Sequence, residues 1–187
     1  MNAPAPESAD AVRRGRAKLA LLGLFFLVPF AASTLIWWLD LVPGSASNYG
    51  TLLQPRPVAL PPNGELKGKW ILVQFDSGAC GPDCERKLYF MRQVRRAQGR
   101  EMPRVARLWM VTDSVVPASA LLEAIQGTVV APRVTSGDGT WPAERSEVDH
   151  IYLVDPLGNL MMRFPRDPDP ARVIKDLNRL LKASSFG

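Results

Sequence analysis

The stretch WILVQFDSGACGPDC, at positions 70–84, joins a continuous apolar run to a turn and two cysteines. A nearly uninterrupted apolar run of this length is typical of a strand that is buried on both faces of a helix-covered sheet. The cluster DSG at 76–78 favours a turn, and Pro82 suits the first position of a helix. The sequence therefore predicts a buried strand, a short loop that carries Cys80, and a helix that includes Cys84.

Beyond position 84 the pattern describes a small domain in which strands and helices alternate. Apolar residues recur at helical spacing from Cys84 to Val94 before Gly99 ends the helix. The next elements are predicted in the order strand, helix, short strand, hairpin and final helix: residues 105–111, 118–125, 128–134, 150–154 with 160–164, and a helix capped by Asp169. A strand, a helix and a second strand in this order imply parallel pairing. The whole order predicts an α/β fold of the thioredoxin-like type, with a central sheet and helices on both of its sides.

A charge-free apolar segment precedes this domain. Residues 19–39 contain no charged residue, and about 20 apolar residues are enough to cross the hydrocarbon core as a helix. Basic residues stand just before the segment, whereas the first charge after it is acidic: Arg13, Arg14, Arg16 and Lys18, then Asp40. The positive-inside rule therefore predicts that the N-terminus stays in the cytoplasm and that the rest of the chain lies outside.

We expect this segment to be an uncleaved anchor. A cleaved signal peptide is the alternative, with Ser45-Ala46-Ser47 as its cleavage site, but its apolar region is usually only about 7 to 15 residues long. The predicted organisation is a cytoplasmic tail (1–18), a single transmembrane helix (19–39), an extended linker (40–66) and a periplasmic domain (67–185). A bacterial inner membrane is the expected location, because the acidic residues of the tail argue against an organelle transit peptide.

The composition narrows the choice of chemistry. The 187 residues carry a formal net charge of +5, which suits nucleic acid, anionic lipid or an acidic protein without choosing among them. We expect no nucleic acid partner for a domain that faces away from the cytoplasm. Only two cysteines and one histidine occur in the sequence. The chain alone therefore cannot build the four-ligand Cys/His zinc site of a zinc finger or ribbon.

Cys80 and Cys84 are the candidate reactive residues, and we expect solvent to reach both of their sulfurs. They lie at the predicted start of a helix, where unpaired backbone N–H groups and the helix dipole stabilise a thiolate. Their spacing brings both to one face, so that the two sulfurs can close a disulfide or hold a soft ion such as Cu(I) between them. A purely structural disulfide is a further alternative, although so short a loop stabilises a fold little.

A cysteine motif and a histidine region carry a family resemblance. Cys80-Gly81-Pro82-Asp83-Cys84 after the buried strand, with His150 ahead of the Pro-x-Gly turn at 156–158, resembles the Sco/SenC family of cytochrome c oxidase assembly proteins. Members of this family are membrane-anchored, thioredoxin-like copper proteins. The resemblance implies that Cys80, Cys84 and His150 hold Cu(I). It also implies that the protein delivers this copper to a cytochrome c oxidase subunit in the same membrane, with the anchor in contact with lipid.

A thiol-disulfide oxidoreductase is the second hypothesis. In this case Cys80 attacks, Cys84 resolves, and the protein keeps the cysteines of a partner reduced. Oxidoreductases of the thioredoxin type generally carry a proline just before the strand that faces their cysteines. The corresponding slot here, around Asp149, has none, which favours metal handling. An assembly scaffold with a static disulfide is the third hypothesis.

Basic residues crowd the first predicted helix and the segment that follows it. We expect them to face solvent, either as an ordinary solvated face or as a docking surface for an acidic partner or anionic lipid. The residues concerned are Arg86, Lys87, Arg92, Arg95, Arg96, Arg100, Arg104 and Arg107.

Overall fold

The N-terminal part of the chain forms one long helix. The computed structural model describes residues 7–39, 48–134, 141–142 and 146–184, and the chain divides into two compact units, Met1–Ser47 and Asn48–Gly187. Helix α1 (Glu7–Trp38) runs through Pro29 without interruption, and its Val12–Ile36 portion is long and apolar enough to cross a membrane. The length and composition of this helix suit a single-pass anchor, as the sequence predicts. The alternative cleavage site at Ser45-Ala46-Ser47 lies outside the described residues.

The second unit is built on a mixed sheet of six strands. Their bounds are β1 (Thr51–Pro57), β2 (Trp70–Asp76), β3 (Val105–Val111), β4 (Val129–Pro132), β5 (Ile151–Val154) and β6 (Asn159–Phe164). The spatial order is β1-β6-β5-β2-β3-β4. Strands β2, β3 and β4 pair in parallel, whereas β5 and β6 form an antiparallel hairpin beside β2. The central position of β2 explains its continuous apolar sequence, because it has a hydrogen-bonded neighbour on each side and is covered on both faces.

Strand β1 lies in the segment predicted as an extended linker, and the structure differs from that prediction. The residues Thr51–Pro57 pair with β6 at one edge of the sheet, with an irregularity in register between Leu52 and Arg56. Prolines are tolerated in an edge strand because one side of it needs no ladder hydrogen bond. The proline-rich sequence therefore conceals a strand. The earlier part of the predicted linker, residues 40–47, lies outside the described residues.

Three α-helices complete the domain: α2 (Pro82–Arg96), α3 (Ser119–Ala124) and α4 (Pro170–Ala183). Their bounds agree with the sequence prediction, and Asp169 caps α4 by accepting hydrogen bonds from the amides of Ala171 and Arg172. Helices α2 and α4 each begin with a proline, Pro82 and Pro170, because the missing N–H of proline is not needed in the first turn.

Two cores lie on opposite faces of the sheet because side chains alternate along each strand. The first, here called the helix-side core, contains Leu72 and Trp109 together with Leu88 of α2 and Leu177 of α4. The second core contains sheet residues with Leu66 and Trp141, and no α-helix contributes to it among the described residues. We predicted helices on both sides of the sheet. In the described part of the chain, loop segments cover the second face instead.

Candidate thiol site

The two cysteines are brought together by a sharp turn between β2 and α2. The amide of Cys80 donates to the carbonyl of Ser77 at 3.0 Å, and Cys80 has a φ of 41°, in the left-handed region. A residue other than glycine rarely adopts this region, and such exceptions concentrate at functional sites. The turn directs Cys80 toward the first turn of α2, where it forms a disulfide with Cys84 across a Cα–Cα distance of 5.1 Å.

The disulfide is nearly buried, and this differs from the prediction that solvent reaches both sulfurs. Cys80 is 4% exposed and Cys84 is 1% exposed, and both belong to the helix-side core. The loop that follows β3 packs against the cysteine loop, since the amide of Gly78 donates to Asp113 Oδ1 at 2.9 Å. Hydrogen bonds from the Ser77 hydroxyl and from this amide hold the pKa of Asp113 below its usual value. A side chain at Gly78 would overlap the carbonyl oxygen of Val115.

Cys84 lines an open cleft beside the start of α2. The cleft has a volume of about 360 Å³, and its other lining residues are Asp76, Gly81, Pro82, Asp83, Arg86, Lys87, Val148, Asp149 and Arg166. The rim carries exposed ion pairs, in which Asp83 contacts Arg86 at 3.0 Å and Arg166 at 3.3 Å. Exposed pairs of this kind contribute little stability. They leave a charged cleft next to one sulfur of the pair.

Gln74 contacts the sulfur of Cys84 from within the core. Its Nε2 atom donates to Cys84 Sγ at 3.6 Å, and its side chain is fully buried. Its Oε1 atom has no hydrogen-bond partner among the described residues. A buried amide whose donor faces a sulfur can stabilise negative charge there, because hydrogen bonds to charged acceptors are the stronger ones. Gln74 is the one polar residue in the run WILVQF, but the sequence pattern does not indicate that it faces the cysteines.

A partly buried ion pair supports the same end of α2. Lys87 Nζ lies 2.9 Å from Asp76 Oδ2 and donates to the carbonyl of Val148 at 2.6 Å. These contacts join α2, the end of β2 and the short 3-10 turn Glu147–Asp149. Lys87 is only 7% exposed, so the prediction that it faces solvent is wrong.

Other basic side chains of this region are occupied by backbone carbonyls. Arg92 donates to Ala124 O at 3.2 Å, Arg95 to Val105 O at 2.6 Å, and Arg107 to Gln126 O at 2.7 Å. Arg107 is buried, which contradicts its predicted exposure. This burial, followed by repulsion from Arg95 and Arg92, lowers the pKa of Arg107 to about 10. Arg92 and Arg95 thus attach α2 to α3 and to the start of β3, and Arg107 attaches β3 to the segment after α3.

His150 lies on the other face of the sheet from the cysteines. Its Nδ1 atom is 2.9 Å from the carbonyl oxygen of Phe164, and its ring meets the edge of Tyr152, with centroids 6.0 Å apart. Because a carbonyl can only accept, we assign a proton to Nδ1. Tyr152 belongs to the second core, whereas the next residue on either side, Ile151 or Leu153, packs in the helix-side core with the cysteines.

The structure therefore brings Cys80 and Cys84 together but does not bring His150 to them. Among the described residues there is no group of three or more His, Cys, Asp or Glu side chains arranged to hold a metal ion. The role of the cysteine pair as metal ligands or redox centre stays a prediction. What the arrangement can do chemically is to open and close one disulfide, with an amide donor beside one sulfur.

Comparison with known proteins supports the fold. Residues 70–184 match the family model described as the transmembrane-like, thioredoxin-like, C-terminal domain. No curated protein matches the sequence. Yeast Sco1 with copper bound has a TM-score of 0.53 and 16% identity, over 75% of this chain and 96% of that chain. Copper-bound ScoI of Bradyrhizobium japonicum has a TM-score of 0.46 and 23% identity, over 61% of this chain and 86% of that chain. A putative thioredoxin from Neisseria meningitidis has a TM-score of 0.44 and 14% identity, over 74% of this chain and 93% of that chain. The yeast protein shares the fold, and the other two scores add nothing to that conclusion.

Proposed function

Because the chain belongs to the family of transmembrane-like, thioredoxin-like C-terminal domains, we propose that it is a membrane-anchored thiol protein that works by thiol-disulfide exchange. The observation that carries this proposal is the Cys80–Cys84 disulfide at the start of α2, with Gln74 Nε2 directed at the sulfur of Cys84. A disulfide that served only as a brace would close too short a loop to stabilise the fold much.

The exchange transfers two electrons from the reduced pair to a disulfide of the partner. The thiolate of Cys80, which lies in the loop ahead of α2, attacks the partner disulfide, forms a mixed disulfide and releases one partner thiolate. The thiolate of Cys84 then attacks Cys80 Sγ, closes the intramolecular disulfide and releases the second partner thiolate. Gln74 donates to Cys84 Sγ and so stabilises the Cys84 thiolate before it attacks Cys80 Sγ. A dithiol reductant in the same compartment must reduce the pair again.

We place this chemistry on the outer side of a bacterial inner membrane. The charge-free segment with basic residues before it supports an orientation with the N-terminus in the cytoplasm and the thiol domain in the periplasm. In this location the partner we propose is a cytochrome c oxidase subunit of the same membrane. The thiol domain would keep its metal-binding cysteines reduced, which joins the redox chemistry to the family resemblance.

Delivery of Cu(I) is the second candidate function. One observation favours it, since no proline occupies the slot around Asp149 before β5, and two reduced sulfurs this close can hold a soft cation. Yeast Sco1, which shares the fold, has been solved with copper bound. Against it stands the position of His150 on the opposite face, which leaves two sulfurs without an imidazole. The third ligand would then come from the partner or from a rearrangement of the start of β5.

Trapping experiments on the full chain distinguish the two functions. Under the exchange proposal, Cys84→Ser accumulates a mixed disulfide through Cys80 with a disulfide substrate, whereas Cys80→Ser does not. Cu(I) titration of the reduced protein, with and without His150→Ala, provides the second arm. We expect His150→Ala to leave Cu(I) retention unchanged. No mixed disulfide in Cys84→Ser, together with one tightly held Cu(I) that is lost in His150→Ala, would replace exchange by copper delivery.

A further inference from the structure

The exposed surface of α4 carries charge of one sign. Every residue of α4 is described, and its exposed charged side chains are all cations: Arg172, Lys175, Arg179 and Lys182. A groove of about 470 Å³ runs along this face and contains no carboxylate among its lining residues, which are Ala171, Ile174, Lys175, Asn178, Arg179 and Lys182. The opposite side of the helix packs into the helix-side core through Val173, Leu177 and Leu181. Helix α4 is therefore amphipathic, with an apolar inner stripe and a basic outer one.

The single acidic residue of α4 is turned inward. Asp176 is 4% exposed, and its Oδ2 atom accepts hydrogen bonds from the amides of Tyr49 and Gly50 at 2.7 and 2.9 Å. Two amide donors compensate the burial of this carboxylate. As a result, its negative charge is not available to offset the cations on the outer face.

The same contacts attach the first residues of the domain to α4. Besides the bonds to Asp176, the Tyr49 hydroxyl accepts from the amide of Asp169 at 3.1 Å, and the guanidinium of Arg172 lies 4.2 Å from the Tyr49 ring. In the sequence, residues 39–48 separate Tyr49 from the end of α1. The chain that comes from the membrane segment therefore enters the domain at the basic helix.

From these observations we propose that the outer face of α4 docks on the anionic phospholipid headgroups of the membrane in which the chain is anchored. The proposal rests on the membrane anchor of the proposed function and concerns a surface that the thiol chemistry does not use. Phosphate groups of lipids attract Lys and Arg at a membrane surface, and an amphipathic helix with a basic face suits such a surface. Arg92 and Arg95 of α2 suit it less, because both donate to backbone carbonyls.

Lysine footprinting on the full chain tests the docking. The protein is reconstituted in nanodiscs of phosphatidylcholine, with and without phosphatidylglycerol, and each lysine is scored for acylation by mass spectrometry. We expect acylation of Lys175 and Lys182 to fall by about fivefold in the anionic discs, the factor that one cation contributes near an anionic surface. Lys67, which is exposed and follows Leu66 of the second core, is the internal control and should react equally in both discs.

Charge variants separate docking from general adsorption. Lys175→Gln should weaken the protection of Lys182, whereas Arg96→Gln, which removes the same charge from an exposed position on α2, should not. Concentrated salt should abolish the protection, because the Debye length is only about 3 Å at 1 M. Equal acylation in both kinds of disc, equal protection of Lys67, or protection that resists salt would each overturn the proposal. So would protection that appears only when an acidic protein is added. None of these results depends on the redox activity of the cysteine pair.

Discussion

Substitution of Gln74 by leucine tests whether the buried amide tunes the cysteine pair. The change removes the Nε2 donor that lies 3.6 Å from Cys84 Sγ and also the Oε1 atom, which has no partner among the described residues. Leucine has a similar volume and leaves the core filled. We expect the oxidised protein to be as stable as the wild type or slightly more stable, because one unsatisfied buried acceptor is lost with its donor.

The expected change in reduction potential follows from the charge on the acceptor. In the disulfide the sulfur of Cys84 is neutral and accepts weakly, whereas in the reduced protein its thiolate accepts strongly. A hydrogen bond to a charged group contributes about 1.5 to 3 kcal/mol. Since about 1.4 kcal/mol corresponds to roughly 30 mV for a two-electron couple, loss of the donor should lower the reduction potential by about 30 to 60 mV.

The reduction potential is measured by equilibrating the full chain in glutathione buffers of known potential and counting free thiols by alkylation and mass spectrometry. Gln98→Leu is the matched control. Gln98 is also buried and also has an unpaired Oε1, but its Nε2 donates to Val94 O at 2.9 Å rather than to a sulfur. An unchanged or higher reduction potential in Gln74→Leu, or an equal decrease in Gln98→Leu, would refute the role of the Gln74 amide.

Three further substitutions test the packing around the site. Lys87→Met should lower the unfolding free energy in urea by about 1 to 3 kcal/mol, because the half-buried Asp76 carboxylate and the Val148 carbonyl lose their donor, whereas Lys182→Met should change it by less than about 0.5 kcal/mol. Gly78→Ala should cost about 1 to 3 kcal/mol through overlap with the neighbouring backbone, and Gly64→Ala, which meets nothing within 4 Å, should be nearly neutral. Burial raises the pKa of Glu147 above its ordinary value of 4.5, although the charge of Arg133 lowers it. The Glu147 carboxyl therefore keeps its proton to a higher pH in the folded state than in the unfolded state. The unfolding free energy consequently falls as the pH rises above 4.5 through the folded-state pKa. Glu147→Gln should remove this decrease, and a wild-type pH profile of stability in the variant would contradict the assignment.

The order of elements could be predicted because each carries a local signal. The apolar run of β2, the helical spacing after Cys84 and the cap at Asp169 all specify their elements over short range. Strand β1 could not be predicted in this way. Its ladder is formed with β6, more than a hundred positions later in the chain, and an edge strand tolerates the prolines that read as a linker. The loops that cover the second face of the sheet could not be predicted for the same reason. Loop residues such as Trp141 join the second core only through tertiary contacts.

The sequence predicts that the two cysteines lie close together, but not which residues surround them. The spacing of Cys80 and Cys84 gave their proximity, because it depends on the geometry of one helix turn. Their burial could not be read from it, since it depends on how the loop after β3 packs against Gly78. Gln74 was overlooked because a single polar residue in a strand gives no indication of what it faces. The partner of Lys87 likewise belongs to another element.

The register of one residue bears directly on the choice between copper and redox chemistry. Side chains alternate between the two faces of the sheet along a strand. A residue just before β5 therefore shares a face with Tyr152 if an even number of positions separates the two, and with Ile151 if that number is odd. His150 packs against Tyr152, and its Nδ1 bond to Phe164 O anchors the ring to the neighbouring strand β6. To reach the sulfurs, the ring would have to break that bond and pass to the other face, which requires a local slip or bulge at the start of β5. Without this rearrangement, the polar side chain that contacts the pair is Gln74, through Cys84 Sγ. A buried amide of this kind can stabilise a thiolate but cannot complete an imidazole site, which is why the geometry supports exchange of a disulfide more directly than storage of a metal.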